Sequence, residues 1–147
     1  MDLLMNIDGK ATQEAVEKQL RQFRTYKLTT PEDLLPTITP KYTIEMPAFT
    51  GAVNSKTENA AIKAADQYRE AEKFFTKFHF AFRKLSRKER EIIMKSYLEE
   101  YPNYNYAIAR ELHVAERTFY RMKSKALYTL AIALGVAVFE EEEEKSS

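Results

Sequence analysis

The sequence predicts an all-α protein: an N-terminal helical and extended arm, one long helix, and a C-terminal pair of helices joined by a tight turn. Three observations predict it. Apolar residues recur at the three- and four-residue spacing of one helix face along most of the chain. The 147 residues include three glycines and five prolines, too few for the many turns of a β-sandwich or barrel. Helix-start and helix-stop signals flank the periodic stretches, most clearly Ser86 with Glu89 and, further on, Gly135.

Residues 1–28 form an N-terminal helical segment. Within it, 12–28 reads as an amphipathic helix capped by Thr12, with Ala15, Val16, Leu20 and Phe23 near one face. Residues 29–55 read as a Pro-rich extended connector, punctuated by Pro31, Pro36, Pro40 and Pro47, with a short helical turn expected at 31–35. Tyr42, Ile44, Met46 and Phe49 are expected to be pinned against a helix or a partner. A helical domain spans 56–139.

Its first helix is expected over 56–84, where Ala61, Ile62, Ala65, Tyr68, Phe75, Phe78 and Phe82 recur at helical spacing. Phe74, Phe75, Phe78, Phe80 and Phe82 are too broad for one narrow stripe. Either the helix is buried on two sides, or its outer aromatics meet another chain. A homodimer through Phe74, Phe75, Phe78 or Phe82 follows from the second case. In the first, the N-terminal helix and the connector fold back over those rings and leave a monomer.

Ser86 and Glu89 form a capping box that starts a new helix, with Leu85, Ile92, Ile93, Tyr97 and Leu98 facing inward and Arg87, Lys88, Arg90 and Lys95 outward. Pro102 ends it. A short helix is expected over about 104–113 and a last long helix over about 116–134, closed by Gly135. Residues 136–139 pack back or form a short extended segment. Residues 140–147 form an acidic tail whose five consecutive glutamates, 140–144, read as a solvated run.

The segment 105–134 has the spacing of a helix-turn-helix. Ile108 and Leu112 form an i, i+4 pair, Ala109 is small where a second helix must cross, Val114 plugs the turn, and Phe119 and Met122 anchor the second helix. Two positions depart from the usual pattern. His113 stands where glycine normally supplies a positive φ, and Ala115 stands where Ser or Thr normally caps the second helix. The outer side is left to Arg117, Tyr120, Arg121 and Ser124, candidates for base-edge contacts in double-stranded DNA. Lys123, Lys125, Arg110, Arg87 and Lys88 are candidates for phosphate contacts. Formal net charge is only +1, but 117–139 contains no acidic residue while carrying four basic ones. Local charge governs phosphate contacts.

Other chemistries are poorly supported. With no cysteine there is no disulfide, thiolate zinc site or thiol nucleophile. The two histidines, His79 and His113, share no ligand-type spacing with a carboxylate. Gly9, Gly51 and Gly135 are isolated, so no Gly-rich loop cradles phosphates. The expectation is a protein that is not an enzyme and takes no cofactor or metal. No apolar run approaches a membrane span and the first residues lack a signal peptide's character, so a soluble, cytoplasmic protein is expected.

Leu85, Ser86, Glu89 and Arg90, then the helix-turn-helix, then Lys125-Ala126 and Leu130, resemble region 4 of bacterial sigma factors. That region reads promoter DNA in the major groove. Along almost the whole chain the order of features resembles the ArpU family, phage-encoded transcriptional regulators of Gram-positive bacteria and their prophages. The features are Ile7-Asp8 with Thr12, Val16, Leu20 and Tyr26, then Met46-Pro47 and Asn54, then residues 116–127 and Ala133-Leu134-Gly135. The resemblance implies a regulator that switches on late phage genes for packaging and lysis, acting on promoter DNA and, like sigma region 4, alongside RNA polymerase. Two alternatives stay open. One is a protein-interaction module such as an RNA-polymerase adaptor, which the phenylalanine-rich helix supports. The other is a DNA-packaging protein of the small-terminase kind.

Overall fold

The computed structural model describes residues 7–47, 58–99 and 103–140, with backbone alone for 58–61. It is an all-α fold with one two-stranded appendage. In order come α1 (Gly9–Thr29), a 3-10 turn (Glu32–Leu34), β1 (Thr37–Ile38), β2 (Ile44–Glu45), α2 (Glu58–Phe82), α3 (Arg87–Ile93), a π-helical turn (Met94–Leu98), α4 (Asn105–Glu111) and α5 (Glu116–Leu134).

Helix α1 starts a turn earlier than its apolar stripe suggests. Asp8, not Thr12, is the cap: its carboxylate accepts from the Ala11 N–H at 3.1 Å. Thr12 lies fully buried inside the helix. Its hydroxyl donates to the Val138 carbonyl at 3.0 Å and accepts from the Val138 N–H at 2.9 Å. The Asp8 N–H donates to the same carbonyl at 2.8 Å, and Ile7 pairs antiparallel with Phe139. A hydroxyl that both donates and accepts can complete a strand edge from within a helix.

Gly9 stands where α1 passes α5. A Cβ there would lie 2.7 Å from the Tyr128 hydroxyl oxygen. Gly9→Ala is therefore expected to destabilise the protein, although alanine is the better helix former by up to about 1 kcal/mol. In a Tyr128→Phe background the obstruction is gone and the same substitution should stabilise. Urea unfolding of the four proteins checks this; one sign in both backgrounds would refute the close approach as the cause.

The connector is a hairpin rather than merely extended. Strands β1 and β2 pair antiparallel, Thr37 opposite Glu45 and Ile38 opposite Ile44. Between them Thr39 accepts from the Tyr42 N–H at 2.8 Å, a β-turn with Pro40 at the position that favours proline. Tyr42 takes a positive φ of 55°. The expected helical turn is present at Glu32–Leu34. Ile44 is buried, and Ile38, Tyr42 and Met46 pack against the chain's own core. Phe49 lies outside the described residues, as do Pro102 and the tail beyond residue 140.

Four of the five phenylalanine rings of α2 turn inward, and Phe80 is exposed. Phe75, Phe78 and Phe82 are fully buried. Phe23 of α1 meets Phe75 edge-on at 5.4 Å and Phe78 at 4.7 Å, while Tyr26 covers Phe74 at 5.1 Å. Of the four rings expected at a dimer surface, Phe75, Phe78 and Phe82 are thus taken up by the chain's own core, and α1 covers Phe74, Phe75 and Phe78. Ile62 is also corrected, being 57% exposed. Thirteen residues separate it from Phe75, a rotation of about 220° at 100° per residue, which puts it on the far side.

Helix α3 opens with the expected capping box, in which Glu89 N–H donates to Ser86 Oγ at 3.2 Å and Ser86 N–H to Glu89 Oε1 at 3.0 Å. Helix α5 is the central element, packing against α1, α2, α3 and α4. Its last three turns contribute Ala126, Leu127, Leu130, Ala131 and Leu134 to the main core. Its first turns belong to a second, smaller core described next. Gly135 ends it with a φ of 74°.

Candidate nucleic-acid interface

Helices α4 and α5 are joined by residues 112–115. Leu112 ends α4 in a helical conformation, His113 takes the left-handed φ of 56°, and the Val114 N–H returns to the Ala109 carbonyl at 3.1 Å. Histidine thus does what glycine usually does, at a conformational cost on the order of 1 kcal/mol. Ala115 is the extended residue before α5 and offers no side-chain cap. The small core between the helices holds Ile108, Ala109 and Phe119, with Leu112, Val114 and Met122 packed around them. Ile92 of α3 closes it from below. All six residues whose spacing marked this segment face inward here.

The other side of α5 is open. Arg117, Tyr120, Arg121, Ser124 and Lys125 are all exposed, Tyr120 by 51%. Residues 117, 121 and 124 follow the i, i+4, i+7 line of one face. Among the described residues no ion pair occupies these cations. Arg110 is exposed on α4, and Arg87 and Lys88 are exposed in the first turn of α3. These three stand on other helices and do not extend the α5 line.

Lys123, expected among the phosphate contacts, does not stand on the open face but is half-buried on another side of α5. It lies two residues from Arg121, nearly opposite around the helix. Its ammonium donates to Asn105 Oδ1 at 3.0 Å and sits 5.1 Å from the centre of the Tyr97 ring. Burial pulls its pKa down, against an opposing pull from the Glu17 carboxylate. Tyr97, half-buried beside it, is pushed up to about 12 by burial and by Glu17.

Lys95 is likewise not a solvated cation. Its ammonium bonds Glu91 at 3.2 Å and also the carboxylate of Glu111, with only 15% of the side chain exposed. Burial is the largest single effect on its pKa and acts downward, but the bonds to Glu111 and Glu91 together raise it.

Sequence reasoning missed Tyr104 and Tyr106. Their rings stack at 5.6 Å and 8° and are 74% and 56% exposed at the start of α4. Two positions apart in a helix they would point away from each other. Tyr104, however, is the extended residue before the first turn, and so the rings meet.

His79 lies partly buried in α2, its pKa lowered by burial and then by Arg83. Among the described residues no group of three or more His, Cys, Asp and Glu side chains could hold a metal ion. No described helix is long and apolar enough to cross a membrane.

No family profile matches the chain, and no solved structure matches it. Two curated proteins do. The chain is 27% identical over 135 residues to "Uncharacterized phage-related protein Lin1259/Lin1739" of Listeria innocua serovar 6a, covering 92% of this chain and 94% of that protein. It is 28% identical over 127 residues to "Protein Gp66" of Listeria phage A118, covering 86% and 87%. Along nearly its whole length, then, the chain is similar to phage-related proteins.

Proposed function

We propose that the chain is a sequence-specific DNA-binding regulator of transcription encoded by a phage or prophage, of the ArpU kind, acting on late genes for packaging or lysis. Helices α4 and α5 form its helix-turn-helix, and α5 enters the major groove. One observation carries this reading. The face of α5 opposite its buried anchors is a continuous open line of Arg117, Tyr120, Arg121, Ser124 and Lys125. Arginine reads guanine bidentately, and tyrosine meets a thymine methyl or a phosphate. The similarity to phage-related proteins supports the setting. The protein works by binding and not by catalysis.

The adaptor alternative drew its support from the phenylalanine-rich helix, and of those rings Phe74, Phe75, Phe78 and Phe82 are taken up by the core while Phe80 stays exposed. Among the described residues it keeps the exposed Phe80 and the stacked Tyr104 and Tyr106 as features that suit a protein partner.

The test is selection of a duplex from a random pool, followed by Arg121→Ala. The variant is expected to lose about 1–3 kcal/mol of specific binding while its helical spectrum stays unchanged. Lys125, Arg110, Arg87 and Lys88 meeting about four phosphates would give a slope of log affinity against log salt near −4. Lys123→Met should leave that slope as it is. Wild-type protein that selects no sequence, or binds with a flat salt response, points to the adaptor instead.

A further inference from the structure

Helix α4 has seven residues, about two turns, too short to hold itself together. Tyr104 gives it no side-chain cap, and it ends at a histidine rather than a glycine. Its position against α5 must therefore be set from outside. Beyond the small core, four polar ties reach it among the described residues, one of them from the side-chain amide of Asn103, which donates to Glu99 at 2.9 Å. Lys123 of α5 holds Asn105 at its start. The other two come from a single residue of the π-helical turn.

That residue is Lys95. In an α-helical register the Glu99 N–H would donate to the Lys95 carbonyl. Here it donates to the Met94 carbonyl at 3.0 Å, one residue further back. The Lys95 carbonyl is thereby released and accepts from the Asn103 N–H at 2.9 Å, at the entry to α4. The Lys95 ammonium bonds the carboxylate of Glu111, the last residue of α4. One residue grips both ends of a helix about 10 Å long. Glu91, the second carboxylate on Lys95, also accepts from the hydroxyl of Tyr42 at 3.4 Å. Tyr42 sits at the positive-φ position of the hairpin turn. A line of polar contacts thus runs from the hairpin through α3 and the π turn to α4.

We propose that Lys95 is a positioning residue: through Glu111 and its freed carbonyl it sets α4 against α5, and through Glu91 and Tyr42 it ties that setting to the hairpin. The effect on binding rests on the DNA-binding reading above; the effect on α4 does not. Lys95→Met keeps the carbonyl tie and removes the ammonium. Amide exchange in the free variant should speed up about tenfold at Ile108–Leu112, the scale of one charge-assisted hydrogen bond, with Leu20, Phe78 and Leu130 unchanged. Affinity for a duplex selected by the wild type should fall about tenfold with the salt slope unaltered, since Lys95 would meet no phosphate. Glu111→Gln should do the same, without adding to Lys95→Met, and Lys95→Arg should recover both readouts. Unchanged exchange in α4 overturns the proposal. So does equal loosening of the main core, or a salt slope reduced by about one. If the wild type selects no duplex, the DNA reading fails and α4 exchange alone decides the role of Lys95.

Discussion

Phe119→Ala is expected to remove about 3–5 kcal/mol, the cost of emptying a fully buried aromatic site. The effect should be local. Phe119 is the largest residue of a core whose other buried members are Ile92, Ile108 and Ala109, and nothing else in that core can fill its volume. The main core, built from α1, α2, the residues of 93–98 and the last turns of α5, does not contain it. Amide exchange should therefore show α4 opening at low denaturant while Leu20, Phe78 and Leu130 stay protected. Duplex binding should be lost with α4. Uniform loss of protection across both cores would mean that the two melt as one and that α4 has no separate stability.

Phe75→Asp is expected to unfold the protein. The ring is fully buried against Phe23, Tyr26 and Phe74, so a carboxylate there would be desolvated without a partner, at a cost of at least several kcal/mol. Phe80→Asp is the control, because Phe80 is 57% exposed on the same helix and should tolerate the change. Light scattering and circular dichroism distinguish the outcomes. A Phe75→Asp protein that stays helical but drops to a lower mass would place Phe75 at an interface between copies.

Much of the α4–α5 segment is legible in the sequence. The inward pairs Ile108 with Leu112 and Phe119 with Met122 follow from helical period, because side chains three and four apart share a face, and Ala109 and Val114 from the needs of a close crossing and a plugged turn. The capping box at Ser86 and the stop at Gly135 were legible because each is a local chemical solution to a helix end. Residues whose partners are distant in sequence were not. Thr12 looks like a cap until Val138, 126 positions away, is seen beside it. Lys95 and Lys123 look like any basic residue on a helix face. What makes them internal is a carboxylate on α4 in one case and an amide oxygen in the other. The π turn has no residue signature, since it differs from an α turn only in which carbonyl each N–H selects. Ile62 is apolar and near helical spacing, yet 13 residues from Phe75 it comes round to the far side of α2.

The pairing of Ile7 with Phe139 gives the molecule two poles. The N-terminal arm and the segment leading to the glutamates meet at one edge, held by Thr12 and Val138 just past the C-terminal end of α5. Arg117 and Arg121 lie near the other end of that helix, whose 19 residues span about 28 Å. Ile7 and Phe139 thus stand side by side at one place, about 14–26 Å along α5 from the residues of the open face. A probe attached at Val138 or Phe139 would leave that face unobstructed. An attachment made in the 112–115 turn would stand directly beside it.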